Sequence, residues 1–197
     1  MTRRTLQAAL FYIAAACLFT WPLVLHLQSL LGAEASSPDP ALNLWALGWD
    51  LHVFSSHPGW IFNGGVFNAN IFHPAPHTLA YSDHLLLQAL ALLPVYALTD
   101  NLILCYNLLL LVSLVLSALA MHVLARALTG SDRAACVAGL IFGFAPYHFT
   151  HLIHIQLQAL YFLPLSFLFL HRVFDGARRS DTIALRLVLG LQAISCI

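Results

Sequence analysis

GAEASSPDPALNLWALGWDLHVFSSHPGWIFNGGVFNANIFHPAPHTLAYSDH, residues Gly32 to His84, decides how the rest of the chain is read. The stretch holds four acids (Glu34, Asp39, Asp50, Asp83) and five histidines, with no lysine or arginine. Almost everything outside it is hydrocarbon. A loop without positive charge, following a long apolar segment headed by Arg3 and Arg4, reads as the outward side of a membrane protein. The chemistry is expected there, and the remainder is expected to be the scaffold that holds it at the bilayer surface.

Composition sets the class. Of 197 residues, 60% are hydrophobic and 8% charged, and the mean hydropathy is +0.83. That leaves too little polar surface for an ordinary soluble domain, so an all-α, polytopic transmembrane helix bundle is expected. Eight basic and eight acidic residues cancel, so only their distribution is informative. No phosphate-cradling glycine loop, nucleophile elbow or nucleic-acid patch is present. Cys17, Cys105, Cys136 and Cys196 fall inside apolar segments without a CxxC pair and read as free buried thiols.

Outward from the opening stretch, residues 6–31 carry no charge and read as a retained signal anchor with its N-terminus inside. Ala33-Glu34-Ala35 offers a small-x-small processing site as the alternative. Pro38-Asp39-Pro40 is a helix-start signal in which Asp39 can cap free N–H groups. The helix over 40–54 places Asp39, Asn43 and Asp50 in one sector opposite Leu42, Trp45, Trp49 and Val53. This suits a helix lying in the interface with its carboxylates away from lipid. The bland reading of Asp50 is a solvated polar face. Residues 55–78, dense in turn formers, read as irregular loop.

Residues 85–98 decide the topology. Fourteen apolar residues with Pro94 fall below the roughly 17 needed to span. Treated as a second interfacial or re-entrant helix, they leave Arg126, Arg133, Arg172, Arg178 and Arg179 all inside. The spans are then 6–31, 102–125, 131–147, 148–171 and 182–197, with an outer loop over 32–101. The whole is one transmembrane domain, expected to be the N-terminal part of a longer multi-pass protein of the cell (plasma or inner) membrane. Ala135, Gly139 and Gly143 recur every four residues, a face that should pack on a neighbouring helix. Tyr147, His151, His154, Gln158 and Tyr161 form a polar stripe expected to face the bundle interior or a wet cavity.

The histidines raise a metal question. His73, His77 and His84, or His148, His151 and His154, are spaced closely enough for imidazole ligation of zinc, copper or iron. No Cys or HExxH accompanies them, so satisfied interior histidines are the commoner case and no metal site is assigned. Asp83-His84 reads either as an acid with an orienting imidazole or as a cap for the helix that starts at Leu85.

An inside N-terminus, one span, an outer loop with an early Asp39, two juxtamembrane helices and closely spaced spans resembles the start of GT-C type membrane glycosyltransferases. These are polyprenyl-phosphate-sugar-dependent enzymes that include protein O-mannosyltransferases and aminoarabinose transferases of lipid A. Besides Asp39, the resemblance rests on Asn70-Ile71-Phe72-His73-Pro74-Ala75-Pro76 before the second juxtamembrane helix and on Asn107 in the following span. It implies that Asp39 assists catalysis, acting on the acceptor or on a bound metal, with Asp50, Asp83 and His84 as candidate supporting residues. A divalent cation is the one cofactor in view. The implied partners are a polyprenyl-phosphate-linked sugar, a lipid, glycan or protein acceptor, and the membrane, with no nucleic acid. Basic side chains for the donor phosphate are missing from the outer segments, so this piece alone is expected to be inactive. The alternative is a non-enzymatic transporter or metal-handling membrane protein, motivated by the polar stripe and the histidines.

Overall fold

The computed structural model describes residues 3–33, 37–176 and 178–195. The processing signal at Glu34 and the thiol of Cys196 lie outside the described residues. Among the described residues the chain is all-α and has no strand.

The first helix, α1 (Arg3–Phe19), stops well short of the expected end of the first apolar run. Pro22 has no N–H to continue the ladder and its ring crowds the preceding turn. The chain instead turns through a short 3₁₀ segment, Leu23–Leu25, and folds back over residues 26–32. Asn107 fastens that fold-back. Its Nδ2 donates to the carbonyls of Leu27 (2.8 Å) and Leu30 (2.6 Å), and its Oδ1 accepts from the Gly32 N–H (2.9 Å).

Asn107 belongs to α5 (Leu102–Thr129), the central rod, which is about 42 Å long at 1.5 Å per residue. Asn101 caps its start by accepting from the Leu104 N–H, and Gly130 closes its end in the left-handed region that suits glycine. Next, α6 (Asp132–Gly143) is capped by Ser131 and packs on α5 through Ala135, Gly139 and Gly143. A Cβ on Gly139 would collide with the Tyr12 hydroxyl and lie 2.7 Å from the Ala118 carbonyl oxygen. One on Gly143 would lie 2.5 Å from the Ala118 Cβ. The small-residue face therefore does meet neighbouring helices, and its lack of side chains is what permits the approach.

Asp132 pairs with Arg4 (2.6 Å) and Arg126 (3.0 Å). These contacts bring the start of α1, the end of α5 and the start of α6 to one end of the bundle. At the opposite end, α2 (Asp39–Ser56) and α4 (Leu86–Thr99) lie around the first turns of α5, and the one-turn α3 (Trp60–Asn63) packs on the 3₁₀ turn Gly65–Phe67. Leu47, Leu51 and Phe54 of α2 meet Leu85, Ala89, Leu92, Tyr106 and Leu109 in the main core. The loop beyond α2 has a smaller core of its own, in which Ala46, Ala69 and Leu79 pack with Trp45, Trp49 and Phe67.

The expected single helix over 148–171 is broken. The chain forms α7 (Pro146–Thr150), a bend, a 3₁₀ turn at Ile155–Gln158 and then α8 (Phe162–Phe174). Gln158 supplies the reason. Its Nε2 donates to the carbonyls of His148 (3.1 Å) and His151 (2.8 Å), which a continuous helix would have used for its own backbone N–H groups. The last helix, α9 (Arg179–Ser195), packs along α8 and reaches α4, where Gln88 Nε2 donates to Ser195 Oγ (2.8 Å).

By length and composition, two helical stretches could cross a membrane: Leu102–Thr129 and Ile155–Phe174. The apolar helices Arg4–Phe19 and Leu86–Thr99 are shorter. Large apolar side chains stand exposed along the bundle, among them Leu10, Leu18, Val112, Ile141, Phe167 and Leu187.

Candidate functional site

Asp39 is the first residue of α2, and it does not act as the cap that its Pro-Asp-Pro setting predicts. Its own N–H reaches Ser37 Oγ (3.4 Å), and among the described residues its carboxylate accepts no backbone N–H. The carboxylate instead faces His154, with Oδ2 and Nδ1 3.7 Å apart. Both side chains are partly open to solvent, at 42% for Asp39 and 32% for His154. An acid and an imidazole chosen separately in the sequence thus share one spot.

His154 sits in the connector between α7 and α8, which is pinned from several sides. Asn43 Nδ2 donates to the Ile153 carbonyl (3.1 Å), and Gln156 Nε2 donates to Asp83 Oδ2 (2.9 Å). His148, fully buried, pairs through Nδ1 with Gln158 Oε1 (2.7 Å). His151 stacks on Tyr147 with ring centroids 4.3 Å apart, and its ring lies 6.2 Å from that of His154.

The polar stripe is not one face of a continuous helix. Tyr147, His151 and His154 keep their rings in succession, His154 next to Asp39, while Gln158 is buried and turned back on His148 and the His151 carbonyl. The helical spacing that would add Gln158 to the same face holds only on a continuous α-helix.

Asp50 is not on a solvated face. It is fully buried, with Oδ2 accepting the Leu85 N–H (3.1 Å) and Oδ1 making no hydrogen bond. Burial pushes its carboxyl up to about 7, opposed in part by the Leu85 N–H, which favours the charged form. Asp50 thus supplies across space the contact at the start of α4 that Asp83 was expected to make. Asp83 is engaged with Gln156 instead. His84 packs edge-on against Phe67, with ring centroids 5.9 Å apart, and its Nδ1 makes no hydrogen bond. Burial pulls the His84 imidazole below its ordinary value, against the opposing pull of Asp83, and favours its neutral form.

Metal-donor geometry is sparse. Among the described residues no three His, Cys, Asp or Glu side chains are gathered as a metal ion would need. Cys17, Cys105 and Cys136 are free thiols.

Gln156, which sequence reasoning missed, and Asn43, which it placed in the sector of Asp39 and Asp50 without a role, hold the site together. Their signal was available: an amide in an apolar segment needs a hydrogen-bond partner when buried. Which partner each one finds could not be read from spacing, since the bonds run over 73 and 110 residues.

Comparison with protein-family models, with curated proteins and with solved structures returns no match.

Proposed function

We propose that this chain belongs to a multi-pass membrane glycosyltransferase of GT-C type, which moves a sugar from a polyprenyl-phosphate donor to an acceptor on the outer face of the membrane. The observation that carries the reading is the Asp39–His154 pair at the mouth of the bundle, where α2 meets the α7–α8 connector.

Orientation follows from charge. Arg4 and Arg126 meet at Asp132 at one end of the bundle, and the base-free stretch 32–84 lies at the other. The positive-inside tendency puts the arginine end in the cytosol and Asp39 outside. The exposed apolar side chains along α1, α5, α6, α8 and α9 face lipid in this arrangement. The two interfacial helices of the outer loop are α2 and α4, and α4 is about 21 Å long against a hydrocarbon core of about 30 Å.

The chemistry asks for a base at the acceptor. Asp39 takes the proton from an acceptor hydroxyl as that oxygen bonds to the anomeric carbon. The bond from that carbon to the donor phosphate breaks, and the phosphate leaves with the electron pair. His154 faces the Asp39 carboxylate across 3.7 Å and orients it toward the connector. Cationic groups for the departing phosphate come from outside residues 32–84, which hold none. A divalent cation could assist only with ligands beyond Asp39 and His154, because no third donor stands beside them among the described residues.

Asp39→Asn in the full-length protein is expected to lower sugar transfer by about 10²–10⁴-fold, the span of general-base catalysis, with membrane expression unchanged. Transfer at the unsubstituted rate would remove Asp39 from the mechanism. The transporter or metal-handling reading drew on the polar stripe and the histidines; the helix that would carry the stripe is broken at the connector, and among the described residues no three donors are gathered for a metal ion.

A further inference from the structure

Linked to the connector that carries His154 by the Gln156–Asp83 hydrogen bond is an open cleft of about 560 Å³, lined by Phe67, Ala80, Tyr81, Ser82, Asp83 and His84. Its size falls within the range of small-molecule sites, roughly 300–1,000 Å³. We propose that this cleft is the acceptor site, and that it takes a neutral, hydroxyl-rich ring such as a sugar. The proposal rests on the glycosyltransferase reading and adds where the acceptor is held and what its chemistry is.

Three observations carry it. The walls pair aromatic surface with hydrogen-bonding groups: Phe67 and the 87% exposed Tyr81 offer flat apolar faces, and Ser82, Asp83 and His84 offer polar atoms. A sugar ring has the matching character, with C–H faces on two sides and hydroxyls around the edge.

The second observation is unspent hydrogen-bonding capacity in the lining itself. Nδ1 of His84 makes no hydrogen bond. Asp50 and Gln156, which also carry an unpaired oxygen, are outside the lining and hold its neighbours, Asp50 through the Leu85 N–H and Gln156 through Asp83. Unpaired buried polar atoms are costly and uncommon, so His84 is the lining group with a bond left to make.

Charge is the third. Residues 32–84 contain no lysine or arginine, and the cleft carries the Asp83 carboxylate. Phosphate or carboxylate groups are repelled there, which keeps an anionic donor headgroup out of the acceptor position. Gln156 then links the two places. It grips Asp83 in the cleft from a point two residues along the connector from His154, which faces the proposed base, so the cleft and the base are tied to one connector.

The test is saturation-transfer NMR on the full-length protein in lipid nanodiscs, with methyl glycosides of glucose, galactose and mannose as probes and methyl glucuronide as the anionic counterpart. At least one neutral glycoside is expected to receive saturation at its ring C–H protons. Tyr81→Ala and Asp83→Asn should each weaken that binding about tenfold, equivalent to 1.4 kcal/mol. Asp39→Asn should still bind a neutral glycoside while failing to transfer sugar. The acceptor-site proposal is overturned by any of three results: no neutral glycoside binds, glucuronide binds as well as glucoside, or binding survives both cleft substitutions. Failure of the glycosyltransferase reading looks different, since it appears as transfer retained in Asp39→Asn. Tyr81 is at the surface, so its removal should leave thermal stability unchanged and keep the binding result interpretable.

Discussion

The α5–α6 pair and the outer region around α2 and the α7–α8 connector are built by opposite means. In the pair, structure is local. Asn101 and Ser131 cap their own helices, Gly130 makes the turn between them, and Ala135, Gly139 and Gly143 let the two rods touch. In the outer region, structure is borrowed. Asn107, Asn43, Asp50, Gln156 and Gln158 each hold backbone or side-chain groups of another segment or of the far side of a bend. The first arrangement makes a stiff support. The second ties separate segments to one another through buried polar side chains.

If the pair is held by close approach, filling that approach should do the greatest damage. Gly139→Val puts a branched side chain where a single Cβ already meets the Tyr12 hydroxyl and the Ala118 carbonyl. Helix backbone cannot yield as a flexible side chain does, so a loss of about 3 kcal/mol or more is expected, at the upper end of overpacking. Thermal unfolding in detergent measures it, and a melting temperature within a degree of the parent would contradict the tight-packing account.

Asn107→Leu attacks the outer region at its root. It strands the carbonyls of Leu27 and Leu30 and the N–H of Gly32. The expected cost is about 2–3 kcal/mol, less than three full desolvation penalties because water can reach part of the turn. Hydrogen exchange should speed up over residues 26–32 and stay slow in α6. Uniform acceleration would mean that the two regions are not separately held.

The sequence was most legible where structure is local. The outer helices appear at 39–56 and 86–99 against expected 40–54 and 85–98, because caps, prolines and apolar spacing lie within a few residues of what they control. The end of α1 at Phe19 and the break after Thr150 were not foreseen. Apolar composition runs straight through both, and the agents that secure them, Asn107 and Gln158, act through side-chain bonds that spacing does not reveal. The candidate site divides the same way. Asp39 and His154 could each be picked as unusual residues, but their meeting depends on the broken helix, and the burial of Asp50 depends on α4 closing over it.

Gln158→Leu tests the broken helix directly. Without the amide, the His148 carbonyl loses its partner while the His151 carbonyl keeps the His154 N–H, and residues 151–158 are free to join a continuous helix. In that helix His154 leaves Asp39, and Asn43 loses the Ile153 carbonyl. Stability is expected to fall by about 2 kcal/mol, and the proposed sugar transfer to fall further than that loss explains. Crosslinking between Cys introduced at 39 and 154 reads the spacing. Unchanged crosslinking in the Leu variant would show that the connector does not depend on Gln158.

The smallest effect, and the one that isolates a single group, comes from Asp50. Its folded-state value of about 7 lies above that of an ordinary carboxyl, so the folded chain keeps a proton that the unfolded chain has released. Below about pH 4 both states hold the proton and the group is neutral to stability. As pH rises the unfolded state gains, and between about pH 6 and 8 the folded state loses about 1.4 kcal/mol, one unit of pKa free energy. His84 acts in the other sense. Its lowered value means the unfolded chain binds a proton first as pH falls below about 6.5, which weakens the fold on the acid side. The comparison of Asp50→Asn with the parent removes that shared contribution. The amide keeps an acceptor for the Leu85 N–H and cannot ionise, so its melting temperature should lie above the parent's at pH 8 and converge toward it at pH 5. Parallel curves across that range would show that Asp50 is already charged in the folded protein, and the closed contact between α2 and the start of α4 would need a different explanation.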